Sequence, residues 1–148
     1  MRAYSVCGPN ATGSALKTAV TVIASATVRP RIYDLVVGNQ NTPVDQSGLY
    51  AVTRFTAAGT AGSSPTPTVL DPNDVAAIAT NGISHSAEPT YAATDLLQIP
   101  LHQRSTMRYV TAQGFEFLAP ATAANGLGVR LVASTAAFVS NVSAFWFE

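Results

Sequence analysis

The sequence predicts an all-β chain folded as a sandwich or a barrel. Short segments alternate between apolar and polar residues with period two. They are rich in Val, Thr, Tyr and Phe, which suit a pleated, half-buried surface. Clusters of Gly, Pro, Asn and Ser separate them at short intervals, the punctuation of many strands joined by turns.

"AYSVC" is the first strand in order. In "LKTAVTVIA", Leu16, Thr18, Val20, Val22 and Ala24 share one face, and Lys17, Ala19, Thr21 and Ile23 share the other. "RIYDLVV" sets Tyr33, Leu35 and Val37 against Ile32, Asp34 and Val36. "GLYAVTRFT" separates Leu49, Ala51 and Phe55 from Tyr50, Val52 and Arg54. "LLQIPL", "TMRYVTA", "GFEFLA", "LGVRLVA" and "VSAFWFE" continue the alternation, for a total of about eight strands. Pro100 removes a ladder donor, so its strand is expected at an edge or a bulge, and Pro30 acts alike at the head of "RIYDLVV". One short helix is expected at "DPNDVAAIATNG". Asp71 can cap it, Pro72 fits its first position, Asp74 suits the positive end of the helix, and Asn81-Gly82 offers a left-handed exit.

A chain of 148 residues is long enough for one domain with a core of its own. The expectation is a single β-sandwich domain over 1–148, with 1–14 as a candidate N-terminal arm. Charged residues make up 11%, against about 25% in ordinary soluble domains, so the surface suits a protein covered by partners or packed at high local density, or equally a small soluble domain whose exterior is Thr, Ser and Asn. Net charge is zero, and no cluster of Lys and Arg exists to release counterions, which argues against DNA or RNA as partner. Seven of the eight basic residues are Arg, the side chain of interface ion pairs; the other is Lys17. Cys7 is alone, so no internal disulfide framework is available. "ALKTAVTVIASA" fits a signal peptide poorly, and no apolar run approaches the roughly 18 residues of a membrane span.

The search for chemistry finds little. Asp71 and Asp74 serve better as helix caps than as part of a calcium loop, which needs alternating ligands and a distant Glu. His85 and His102 are too far apart for the closely spaced ligands of a metal-binding cupin. His85 reads as a solvated loop residue and His102 as an interface or turn residue. No G-x-S-x-G elbow occurs, Cys7 has no activating neighbour, and "GTAGSS" lacks the Lys of a phosphate loop. The sequons at Asn10 and Asn141 carry little weight. No catalytic, cofactor-binding or metal site is expected, and no small-molecule substrate.

Arginines are the more informative residues. Arg29 and Arg31 flank Pro30 with equal parity, so in an extended segment they leave from one face. Arg104 and Arg108 bracket a similar strand entry, and Asp34, Glu88, Asp95 and Glu116 are available as counterparts. A desolvated Arg–carboxylate pair at a subunit contact fixes orientation and register. Solvent-exposed strand-end charges would contribute only about 0–1 kcal/mol each.

"TVRPRIYDLVVG", followed by "AEPTYAATDLLQIPLHQRSTMRYVTAQGFEFLAPATAANGLGVRL", resembles a group of tailed-bacteriophage virion proteins, the capsid decoration or cement proteins. The shared shape runs from R-P-R-I-Y-D through E-P-T-Y and Q-R-x-x-x-R to P-A-T-A-x-N-G, over most of the chain after Thr27. The resemblance implies a jelly-roll-like β-sandwich that forms a homotrimer, sits on the outer surface of the capsid and binds the phage major capsid protein to stabilise contacts between capsomers. It implies no catalysis, and synthesis in the host bacterial cytoplasm. Arg29, Arg31, Tyr33, Asp34, Glu88, Arg104 and Arg108 are the expected subunit or capsid contacts. The alternative is a carbohydrate-binding or host-recognition module. That reading calls for exposed aromatics in polar loops, whereas Trp146 and most Phe and Tyr lie in strand patterns, with Tyr91 as the exception.

Overall fold

The computed structural model describes residues 1–10, 18–40, 42, 44–134 and 139–148. Among them are eleven strands: β1 (Ala3–Asn10), β2 (Thr18–Ile23), β3 (Arg31–Gln40), β4 (Ser47–Ala57), β5 (Thr68–Val69), β6 (Thr80–Ile83), β7 (Thr90–His102), β8 (Met107–Val110), β9 (Phe117–Leu118), β10 (Gly126–Ser134) and β11 (Val139–Phe147). They form two antiparallel sheets packed face to face. The six-stranded sheet has the order β5-β1-β11-β3-β8, with β9 also on β3, and the five-stranded sheet has the order β6-β2-β10-β4-β7. The strands that the alternation pattern did not count, β5 and β6, are only two and four residues long and accompany longer neighbours.

Inner faces of both sheets supply one core. Tyr4, Val6, Ile32, Leu35, Val37, Val142, Ala144 and Trp146 come from the six-stranded sheet. Val20, Val22, Tyr50, Val52, Ile99, Leu127 and Val129 face them from the other. Burying a side chain of this kind contributes about 1.5–3 kcal/mol, so this layer holds the sheets together. Tyr4 and Trp146 lie with ring centroids 6.0 Å apart, and the Tyr4 hydroxyl donates to the Val75 carbonyl at 3.0 Å.

The expected helix at Asp71–Gly82 is not formed; the described residues contain no helix. Its cap does form, as the Asp71 side chain accepts from Asn73 N–H at 3.0 Å and the Asp71 carbonyl from Asp74 N–H at 2.9 Å. After that single turn the chain straightens. The Ile78 and Ala79 N–H groups go to the Glu148 carboxylate at 2.9 and 2.8 Å, and Thr80–Ile83 pairs with β2. Two and a half turns are too few to persist against such partners.

Two bulges overturn the strict parity read from the sequence. Opposite β10, the register jumps from Val20 to Thr18, which turns Thr18 away from the face it was expected to share with Val20 and Val22. Opposite β11, Asp34 pairs Phe145 and Ile32 pairs Trp146, which leaves Tyr33 as the extra residue. Ile32 therefore joins Leu35 and Val37 in the core, and Tyr33 points outward beside Asp34 and Val36. Bulges re-aim side chains in this way. Leu16 and Lys17 lie outside the described residues, as do 11–14 of the candidate arm; Ala3–Asn10 is the first strand of the six-stranded sheet.

β7 is the edge of its sheet, as Pro100 required. Its register against β4 shifts three times between Val52 and Ala57. Proline and repeated bulges are devices that keep a long edge from pairing with stray strands.

Candidate interaction surface

On the five-stranded sheet, the outward residues are covered by the chain itself. Thr21 alternates with core residues Val20 and Val22, and Thr53 and Phe55 alternate with Val52. Over them lie the segments around Thr60–Ser63 and Ile83–Tyr91, joined by bridges Thr60–Ala87 and Ser63–Ile83. Glu88, an expected contact residue, fastens this cover. Its carboxylate accepts from the Thr18 N–H at 3.0 and 3.2 Å and from the Thr18 hydroxyl at 2.5 Å. The Tyr91 hydroxyl meets the same Thr18 oxygen at 2.6 Å, and its ring packs edge-on against Phe55. Arg130 lies 4.4 Å above the Tyr91 ring and reaches Asp95 at 3.1 Å. Burial pushes the Asp95 carboxyl up, but hydrogen bonds from Gln98, Thr53 and Arg130 outweigh it and hold the group below its ordinary value. Tyr91 is therefore occupied inside the fold and is not the exposed loop aromatic of the alternative reading.

His85 is 1% exposed, in contrast to the solvated residue expected from its polar neighbours. Its Nε2 lies 3.3 Å from the Thr21 hydroxyl, and its Nδ1 has no hydrogen-bond partner among the described residues. Burial lowers its pKa below the usual value, against the opposing pull of Glu88.

The outward face of the six-stranded sheet is different. Phe145 and Phe147 alternate with core residues Ala144 and Trp146, so they point away from the core. Tyr33 stacks on Phe147 with centroids 4.1 Å apart and lies 6.4 Å from Phe145. Phe145 and Phe147 correct the expectation that most strand aromatics serve the core, whereas Tyr33 is already among the expected contacts. Val36 and the exposed Val110 extend the apolar strip along β3 and β8, and Leu70 closes its other side. Within the strip Arg108 grips Asp34: Nε lies 3.1 Å from each carboxylate oxygen, and Nη2 lies 2.6 Å from Oδ2. The Asp34 side chain is 5% exposed and that of Arg108 67%, so the guanidinium forms a lid over the carboxylate and presents its outer side to solvent.

Two hollows mark this face. One, of about 440 Å³, is lined by Tyr33, Asp34, Val36, Leu70, Arg108 and Phe145. The other, of about 470 Å³, lies at the Arg31 end, among Arg31, Tyr33, Gln113, Glu116 and Phe147. Beside it stands Phe115, 78% exposed on a tight turn whose Gly114 has φ of +87°.

The structure thus gathers four of the seven expected contact residues, Arg31, Tyr33, Asp34 and Arg108, on one face. The other three lie apart. Arg29 precedes β3 and donates to the Ala119 carbonyl at 3.2 Å. Arg104 lies by the far end of β3, where Asn39 bonds to the neighbouring Gln103, and stands 3.8 Å from Asp45. Glu88 belongs to the other sheet. His102 takes the turn role expected of it: its Nδ1 accepts from the Arg104 N–H at 3.2 Å, and its Nε2 lies 3.0 Å from Asp45. Phe145, Phe147, Val110 and Phe115 were missed as surface residues. The one signal available was the parity of Phe145 and Phe147 against Trp146. Comparisons with family models, curated proteins and solved structures return no match.

Proposed function

We propose that the chain is a structural virion protein. In this reading it is a jelly-roll-like decoration protein that forms a homotrimer on the outer surface of a phage head and stabilises contacts between capsomers through the major capsid protein. The observation that carries the reading is the uncovered apolar face of the six-stranded sheet, with Arg31, Tyr33, Asp34 and Arg108 assembled on it. Exposed apolar surface that is contiguous and edged by charge marks a contact with another macromolecule. An Arg–carboxylate pair inside such a strip fixes register when a partner closes over it.

Strand order supports the jelly-roll reading. With the short β5, β6 and β9 set aside, eight strands remain as β1-β11-β3-β8 and β2-β10-β4-β7, and most of their neighbours are distant in sequence. Two four-stranded sheets of paired Greek keys recur in viral capsid and lectin domains. Because lectins share that architecture, the fold does not choose between capsid and sugar, and the reading rests on the face. Tyr33 and Phe147 cover one another's rings, which leaves less flat aromatic surface for a sugar than a lectin platform offers.

The native mass of the purified protein, with a low-resolution image of the particle, tests the reading. A discrete three-fold particle that binds heads and raises their resistance to heat is the expected result. A monodisperse monomer that leaves heads unaltered, or calorimetric binding of a sugar, would overturn it.

A further inference from the structure

We infer that the hollow at the Arg31 end is a second, two-fold contact between copies of this chain, in which Phe115 of each copy enters the hollow of the other. The inference goes beyond the proposed trimer, because a two-fold contact would join one trimer to the next.

The argument begins with charge. Arg31 and Glu116 line the same hollow, and the nearby guanidinium helps to hold the Glu116 carboxyl below its ordinary value, after the stronger effects of the Gly114 and Glu116 backbone N–H groups. Yet no ion pair or hydrogen bond joins the two side chains. Gly114 N–H donates to Glu116 Oε1 at 3.0 Å, and Arg31 has no such partner among the described residues. A patch that carries one cation and one anion, neither fully paired, is its own complement across a two-fold axis. Residue i then meets residue j while j meets i, as an isologous interface demands. Arg31 of one copy would face Glu116 of the other, twice over.

Shape supplies the second half. Phe115 is the most exposed aromatic among the described residues, held out by the Ala112–Phe115 turn, and an apolar-walled hollow of about 470 Å³ lies next to it. Buried aromatics in pockets are the anchors of protein contacts. Tyr33, Phe147 and Met1 provide the apolar wall, and Gln113 and Thr111 provide a polar rim. So small a patch gives a weak contact by itself, which repetition over a lattice strengthens by avidity.

Sedimentation at rising protein concentration tests the contact. The unaltered protein is expected to gain mass reversibly, a doubling being the first step. Arg31→Glu and Glu116→Arg should each lower the association constant by about tenfold or more, and the double reversal in one chain should restore it to within about threefold. Phe115→Ser should abolish the doubling. Arg31→Gln and Glu116→Gln serve in place of any reversal that alters the thermal midpoint, with the same loss expected and no rescue. Absence of doubling in the unaltered protein, indifference to the single changes, or failure of the double reversal overturns the inference. A three-fold particle that never doubles sinks this contact and leaves the proposed function standing; a particle that doubles without three-fold symmetry does the reverse.

Discussion

The two sheets share a core and differ in what lies on their backs. Behind the five-stranded sheet are threonines, glycines, a histidine and a chain of hydrogen-bonded carboxylates, because a polypeptide segment lies there and its polar groups need partners. Behind the six-stranded sheet are three aromatics, two valines and one lidded ion pair, bordered by Leu70 on one side and by Met1 and residues 111–116 at the Arg31 end. The surface closed by its own chain is mostly small polar residues that admit backbone, with one aromatic pair, Phe55 and Tyr91, packed beneath Arg130. The surface its own chain leaves more open is richer in large apolar residues. The contrast predicts that substitutions on the covered back act on folding, whereas those on the open back act on assembly.

The harshest break of the covered back is Gly126→Ala. An added Cβ would collide with the Val22 carbonyl and press on the Phe55 ring, and neither the strand nor the ring has room to yield. We expect a loss of about 3 kcal/mol or more in urea unfolding. Glu88→Gln comes next. It keeps the shape of the clasp and removes its charge, and it should lower stability by about 1–2 kcal/mol through the weakened bonds to Thr18.

Acid probes the same region more gently. His85 has its pKa lowered by burial, so the unfolded chain takes up that proton first. Its contribution is complete above the unfolded value of about 6.5 and is lost as pH falls below that towards the folded value. Asp95 also titrates low in the fold, and its contribution persists above about 3.9 and fades as pH falls further. The urea midpoint should therefore drop in two steps on acidification, and His85→Gln should remove the upper one. The smallest effect belongs to the open back. Val110→Thr, at a residue 56% exposed, should change stability by no more than about 0.5 kcal/mol while it weakens assembly, and the pair of readings sharpens the contrast.

Much of this architecture could be read from periodicity alone. The positions of Val20, Val22, Tyr50, Val52 and Trp146 in the core follow from alternation, and Pro100 marked the edge strand. Alternation fails where a bulge inserts a residue, so Thr18 and Tyr33 were assigned to the wrong side; both end in the two surface networks. The Asp71–Gly82 error has a different origin. Its N-terminal cap was real and its Asn81-Gly82 exit was not, because Glu148, about seventy residues away in sequence, takes the N–H groups that a helix would have used and residues 80–83 form β6. His85 shows the same limit, since local polarity says nothing about a distant strand that buries it. The arginines could be singled out in the sequence, yet only the fold separates Arg31 and Arg108, on the open face, from Arg29 and Arg104.

The central claim is that the outward face of the six-stranded sheet is the contact face for assembly. It is tested most directly by Phe145→Ser, with thermal midpoint, native mass and occupancy on heads measured on one preparation. The account predicts a midpoint within a few degrees of the unaltered protein, together with loss of the assembled particle and of head binding. A variant that assembles and occupies heads as fully as the unaltered protein would contradict it.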